Sequence, residues 1–201
     1  MKLYYSPGAC SLSPHIVLHE AGLAFDAVLA STKTHKLQDG TDFYTINELG
    51  YVPVLELDNG ERLREGPAIV QYIADQGPSQ GLAPANGTME RYRLQEWLTF
   101  IGTELHKGHS PLFAPNTPEE YKPIVRERLQ SRFAWVDKQL AGKDYLLGSF
   151  SVADGYLYTV SRWGQFVGVD TSGLANLQAF KQRMEARAGV QAALKAEGLL
   201  K

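Results

Sequence analysis

Cys10 is the only cysteine in the chain. It falls in Tyr4-Tyr5-Ser6-Pro7-Gly8-Ala9-Cys10-Ser11-Leu12-Ser13, where a strand-like run gives way to a helix-like one. A thiol at a helix N-terminus meets the positive end of the aligned peptide dipoles and several backbone N–H groups that lack intrahelical partners; both favour the thiolate. The chemistry this offers is that of a nucleophilic sulfur. The alternative is a small buried apolar residue, because cysteine is among the most buried residue types. Further along, Thr103, His106 and Lys107 stand three and four apart, a spacing that shares one face of a helix and groups a hydroxyl, an imidazole and an ammonium.

The elements that must hold these groups follow in a regular order. Lys2 to Tyr5 reads as a short strand, and Ser11 to Ala21 as a helix with Pro14 in its first turn and Gly22 as its stop. Phe25 to Leu29 supplies a second strand, so the first thirty residues form a βαβ unit, which permits parallel pairing. Residues 33–47 are polar and aperiodic, a long loop with room for one short helix. Val52-Pro53-Val54-Leu55-Glu56-Leu57 and the segment around Leu63 flank Asp58-Asn59-Gly60, whose Asn-Gly pair predicts a two-residue hairpin turn and an antiparallel strand pair. Glu65-Gly66-Pro67 opens another helix, which Gly77-Pro78 ends. The first part of the chain thus runs βαβ, then ββα.

Residues 76–88 are rich in Gly, Pro, Ser and Asn and mark a linker, after which strand signals disappear. From Met89 to about Lys107, Leu94, Trp97, Leu98, Ile101 and Leu105 recur at helical spacing. Thr117-Pro118-Glu119-Glu120 reads as a capping box with proline at the first helical position. The helix after it has Tyr121, Ile124, Val125, Leu129, Phe133, Val136 and Leu140 as its core face. Ser151 to Asp154 repeats the cap spacing before a helix bearing Leu157, Val160 and Trp163, and a last helix spans Leu177 to about Leu194. The division this implies is 1–78 as an α/β domain, 79–87 as linker and 88–201 as an all-helical domain.

Composition narrows the class of function. The chain has 201 residues, 44% hydrophobic and 21% charged, with a net charge of -2: an ordinary globular composition with no basic excess to hold a phosphate backbone, so nucleic acid is not an expected partner. Ser6-Pro7-Gly8 interrupts the start before a signal-peptide apolar region can form, and no segment approaches the roughly 20 apolar residues that span a bilayer. No membrane association is expected. One cysteine excludes an intramolecular disulfide and fits a reducing cytoplasm.

A βαβ-ββα domain with a thiol after its first strand, followed by an all-helical domain, resembles the glutathione transferases. Tyr-Ser-Pro-Gly-Ala-Cys-Ser-Leu-Ser at 5–13, Gly-Tyr-Val-Pro at 50–53, Glu-Gly-Pro-Ala-Ile at 65–69 and Thr-Glu-Leu-His-Lys-Gly at 103–108 are similar to the bacterial beta class. The resemblance runs to Ala-Glu-Gly-Leu at 196–199. It implies a thioredoxin-like N-terminal domain, a helical-bundle C-terminal domain that contributes the pocket for a hydrophobic electrophile, glutathione as cosubstrate, no metal, and a homodimer.

By position, the resemblance places the glutathione sulfur beside Cys10, and Tyr5 where other classes carry an activating hydroxyl. An aromatic on a half-buried strand is an equally good reading of Tyr5. The resemblance implies a cis bond between Val52 and Pro53, turning the Val52 N–H and C=O toward the cysteinyl part of glutathione; read from sequence alone, Pro53 is as well the first residue of an edge strand. Glu65 and Gly66 lie where the γ-glutamyl ammonium and carboxylate bind, and Glu65 alternatively complements the helix dipole. The glycyl carboxylate falls at His35, where relatives carry Lys or Arg. Either Lys36 takes the contact, or His35 makes it by hydrogen bonding, or affinity follows histidine protonation. The resemblance also implies that Thr99, Thr103, Glu104, His106 and Lys107 are the second domain's share of the glutathione site, with His106 donating to the thiol or thiolate and Lys107 adding positive potential; read from the residues alone, Lys107 is a solvated charge and His106 a helix cap or a core hydrogen-bonder.

The expected activity is addition of the glutathione thiolate to an electrophilic carbon, with Phe113, Tyr156 and Trp163 either lining the acceptor pocket or belonging to the core. Cys10 with Ser13 is the monothiol form of a Cys-x-x-Cys pattern, so glutathione-dependent thiol–disulfide exchange or reductive dehalogenation through Cys10 is a further expectation. A glutaredoxin-like thiol transferase and a non-enzymatic binder of apolar ligands are the alternatives.

Overall fold

The first strand is buried at its centre on both faces: Leu3 and Tyr4 are buried while Lys2 and Tyr5 are half-buried. In the computed structural model, which describes residues 1–76 and 81–200, four strands form one sheet. They are β1 (Lys2–Tyr5), β2 (Asp26–Leu29), β3 (Val54–Glu56) and β4 (Arg62–Arg64), in the spatial order β2-β1-β3-β4. β1 pairs with β2 in parallel and with β3 antiparallel, and β3 pairs with β4 antiparallel. The parallel pair needs a crossover, which α1 (Leu12–Ala21) supplies before Gly22 ends it in the left-handed conformation. After β4, α2 (Gly66–Gln76) buries Ile69, Val70 and Ile73. The first segment is therefore thioredoxin-like, in the expected order. The expected stop at Gly77-Pro78 and residues 79 and 80 of the expected linker lie outside the described residues.

The turn between β3 and β4 departs from the two-residue hairpin that Asn59-Gly60 predicts. Leu57 N–H bonds to Glu61 O at 2.8 Å and Gly60 N–H to Leu57 O at 2.9 Å, so the loop is the three residues Asp58 to Gly60. Gly60 takes a φ of 85° and Asn59 does not take a positive φ. A two-residue type I′ turn needs positive φ at both central residues, whereas one left-handed residue after an ordinary turn gives the longer loop.

The second segment is helical: α3 (Met89–Phe100), a π-helical turn (Ile101–His106), α4 (Lys107–Phe113), α5 (Lys122–Gln139), α6 (Val152–Ser161), the short α7 (Gly164–Val167) and α8 (Ala175–Glu185). Every residue of α6 is buried, as befits a helix that packs against α3, the π turn and α8. The Thr117 capping box does not form. Pro118 is extended at ψ 138° and leads into a short 3₁₀ turn (Glu119–Tyr121), and the helix-opening proline is Pro123, at the start of α5. Starting later, α5 leaves Tyr121 and Ile124 exposed and buries Val125, Leu129, Phe133 and Val136, with Leu140 buried just beyond its end.

The single last helix is two. Arg187 is extended at ψ 135° between α8 and α9 (Ala188–Ala196). The chain thereby divides into two compact units, Met1–Leu82 with Arg187–Lys201, and Ala83–Ala186. The division drawn on the sequence carries residues 187 onward with the helical segment. In the fold α9 packs on α1, the Arg187 guanidinium binds both carboxylate oxygens of Glu20 at 3.0 and 2.6 Å, and Gly189 lies so close to Glu20 that an added Cβ would come within 2.7 Å of it.

Candidate functional site

In the first unit the loop from Ser6 to Ser11 carries Cys10 to the start of α1. Ser11 closes that loop: its Oγ donates to Ser6 O at 3.1 Å and accepts from Ser6 N–H at 3.0 Å. Leu12 N–H bonds to Ala9 O at 3.0 Å and Ser13 N–H to Cys10 O at 3.2 Å, winding the loop into the helix. The half-buried Cys10 directs its Sγ at Val52 O, 3.2 Å away, and the Val52–Pro53 bond is cis. Among the described residues the Val52 N–H has no hydrogen-bond partner.

Glu65 and Gly66 stand at the mouth of α2. Glu65 has a φ of 67°, a left-handed conformation that costs a non-glycine residue about 1–3 kcal/mol and survives where its surroundings impose it. Its carbonyl accepts from Ala68 and Ile69 N–H, both at 3.0 Å, while its side chain is exposed. A Cβ placed on Gly66 would meet nothing within 4 Å, so the helix end is open to a ligand.

His35 is also left-handed, at φ 53°, and its ring is locked: Nδ1 lies 3.2 Å from Gly50 O and the ring sits 4.7 Å from that of Tyr44. A carbonyl only accepts, so Nδ1 carries the hydrogen, and a neutral His35 keeps just an acceptor at Nε2. Gly50 makes this packing possible, with φ 66° and an added Cβ that would stand 2.7 Å from Tyr44 Cε1. The Lys36 side chain is exposed. Tyr5 packs its ring 5.3 Å from that of His15, and burial, then the Glu197 charge, push its hydroxyl pKa up, so it stays protonated at neutral pH.

Beneath the Cys10 loop lies a contact that the sequence does not announce. Glu197 accepts from Gly8 N–H through Oε2 at 2.8 Å and meets His15 Nδ1 through Oε1 at 2.8 Å, both side chains being buried. Gly8, at φ 71°, is part of the turn that presents Cys10. The partners are 189 and 182 residues apart, a separation across which no periodicity or motif operates.

In the second unit the π turn decides which side chains share a face. Lys107 N–H bonds to Gly102 O, five residues back, and the wider turn leaves Ile101, Leu105 and His109 buried four apart while Thr99, Thr103 and Lys107 are exposed four apart. His106, half-buried, leaves that exposed line. Its Nδ1 lies 2.6 Å from the Tyr156 hydroxyl, and its ring meets Trp163 edge-on at 4.9 Å. Burial, then Lys107 and His109, push the His106 pKa down to about 4, so the imidazole is neutral at pH 7. Thr103 Oγ1 donates to Thr99 O at 3.0 Å. The Glu104 carboxylate is engaged by Arg132 Nε at 2.7 Å and Arg128 at 3.2 Å, so it braces α5 instead of facing a ligand. Trp163 and Tyr156 are buried, and the half-exposed Phe113 stacks edge-on against Trp163 at 6.0 Å.

A thiol at the head of a helix, a cis-proline segment beside it and a separate all-helical unit bearing a neutral imidazole define a thioredoxin-like thiol protein with a helical partner domain. Residues 8–76 match the family described as the glutathione S-transferase N-terminal domain, and residues 100–188 match the glutathione S-transferase C-terminal domain. Glutathione S-transferase GstA of Escherichia coli O157:H7 is 49% identical over 99% of this chain and 100% of its own. A sphingomonad glutathione S-transferase solved in complex with glutathione is 50% identical, with a TM-score of 0.95 and complete coverage of both chains. The bacterial beta class enzyme of Sphingomonas chungbukensis is 49% identical at a TM-score of 0.96, again over the full length of both. The chain belongs to the glutathione S-transferase family, among its bacterial beta class members.

Proposed function

We propose that this glutathione S-transferase joins the sulfur of glutathione to electrophilic carbon atoms of hydrophobic compounds, with Cys10 beside the attacking sulfur. The observation that carries the reading is the Cys10 Sγ held 3.2 Å from Val52 O, next to a Val52 N–H left without a partner among the described residues. An extended peptide laid there finds a donor and an acceptor for the cysteinyl part of glutathione, with Pro53 fixing the bend. Glu65 takes the γ-glutamyl ammonium and the open start of α2 at Gly66 its carboxylate. Lys36 takes the glycyl carboxylate, because His35 gives its Nδ1 hydrogen to Gly50 and, when neutral, has no second one to offer.

His106 supplies a neutral donor for the thiolate and Lys107 a positive potential, with Thr99 and Thr103 on the same exposed line as Lys107. Tyr5 has a packing role against His15. In the reaction the glutathione thiolate attacks the electrophilic carbon, a C–S bond forms and the leaving group departs with the bonding pair. The electrophile rests against Phe113 and Trp163. The chain acts as a homodimer in the cytoplasm, where a lone thiol stays reduced. Light scattering at the mass of two chains is the expected result, and a single-chain mass would refute the dimer.

Cys10 also supports thiol exchange. Its thiolate attacks a disulfide between glutathione and a substrate thiol, the substrate thiolate leaves, and a second glutathione thiolate releases glutathione disulfide and restores Cys10. Cys10→Ser separates the two activities. Conjugation of a chlorinated nitrobenzene is expected to persist while disulfide exchange falls to background, and loss of both would overturn the view that glutathione supplies the attacking sulfur.

A further inference from the structure

His106 and His109 stand three residues apart, one at the end of the π turn and one on α4, and each has its Nδ1 committed to a different kind of partner. His109 Nδ1 lies 2.8 Å from Leu105 O, which only accepts, so His109 carries its hydrogen on Nδ1. His106 Nδ1 lies 2.6 Å from the Tyr156 hydroxyl. A phenol is a strong donor and a poor acceptor, its oxygen lone pair being drawn into the ring, whereas an unprotonated imidazole nitrogen is a strong acceptor. The favoured pairing is O–H···Nδ1, which leaves the His106 hydrogen on Nε2.

Tyr156 is built to hold that geometry. It is 3% exposed, on the fully buried α6, whose start is fixed by the Asp154 carboxylate accepting from Leu146 N–H at 2.9 Å and Ser151 N–H at 2.8 Å. The His106 ring is confined between the edge of Tyr156, at 83° and 5.8 Å, and that of Trp163, at 71° and 4.9 Å.

We propose that Tyr156 is a positioning residue for His106: its hydroxyl donates to Nδ1, holds the imidazole in the Nε2–H tautomer and so makes Nε2 a hydrogen-bond donor to a bound thiolate. With the hydrogen on Nδ1, Nε2 would present a lone pair to a negative sulfur and repel it. This rests on the proposed role of His106 as a donor to the glutathione thiolate. It adds that two neighbouring histidines are locked in opposite tautomers by the polarity of their partners.

The test uses the full chain labelled with ¹⁵N-histidine and long-range proton–nitrogen correlation spectra at neutral pH, without substrate. The expected result is His106 protonated at Nε2 and His109 at Nδ1. In Tyr156→Phe, which keeps the buried ring, His109 is unchanged, His106 loses its single tautomer, and kcat with a chlorinated nitrobenzene falls about tenfold while the KM for glutathione stays within about twofold. A wild-type His106 protonated at Nδ1, or a variant with an unaltered His106 spectrum, overturns the proposal. Altered spectra with unchanged kcat overturn both the positioning role and the catalytic use of His106. The wild-type spectrum reads the tautomer whether or not the protein conjugates glutathione, so the two readings fail separately.

Discussion

His106 gives up its charge on folding, and that has a cost that varies with pH. Its pKa drops from the ordinary 6.5 of an unfolded chain to about 4 in the fold. Between those values the unfolded state binds more protons, so stability is complete above pH 6.5 and is lost as pH falls toward 4, by about 3 kcal/mol for this residue. Burial lowers the pKa of His109 and of His19 as well, and both add loss of the same sign on acidification. Urea midpoints measured from pH 7.5 to about 4 are expected to decline below the ordinary histidine range. His106→Gln is expected to flatten part of that decline. Equal slopes in the two proteins would exclude His106 as a source.

At the level of elements, α6 has a buried carboxylate at its start in addition to its apolar faces. Asp154 is wholly buried and its carboxylate accepts from Leu146 N–H, Ser151 N–H and Ser151 Oγ–H, tying the chain before α6 to the helix's first turn. Asp154→Ala leaves those buried donors without a partner and is expected to cost about 3 kcal/mol, read as a lowered urea midpoint at unchanged slope. A loss below 0.5 kcal/mol would mean that water replaces the carboxylate, on the scale set for ordinary surface substitutions. The π turn works differently. By widening the helix by one residue it keeps Ile101, Leu105 and His109 in the core while presenting His106 to Tyr156.

At the scale of the whole chain, the C-terminal segment returns to the first unit and supports the loop that bears the thiol. Glu197 holds Gly8 N–H and His15 from a buried position, and Arg187 clasps Glu20. Glu197→Ala removes a buried carboxylate that accepts from Gly8 N–H and meets His15, and is expected to cost about 3 kcal/mol. Because Gly8 belongs to the Cys10 turn, the same variant is expected to alkylate faster at Cys10 with iodoacetamide than the wild type. Unchanged alkylation together with lost stability would show that Glu197 holds α1 and leaves the thiol loop alone.

Local order was legible in the residues wherever one element carries its own signal. Lys2–Tyr5, the βαβ crossover, the left-handed Gly22 and the Ser151–Asp154 cap all follow from period, turn chemistry and capping within a few residues. Cys10 stood out as a residue type in such a local setting, whereas Val52 and Glu65 were marked by the family resemblance. What the residues could not reveal lies in packing: the π turn inside an otherwise regular helical pattern, the break at Arg187 that sends α9 back to α1, and the Asn59-Gly60 loop lengthened by one residue. Propensity and spacing act over one or two turns, so the linear order determined the elements and where the thiol sits among them. Which nitrogen of His106 meets Tyr156, and which carboxylate steadies Gly8, are decided by contacts between residues 50 and 189 positions apart, and only the folded chain brings those together.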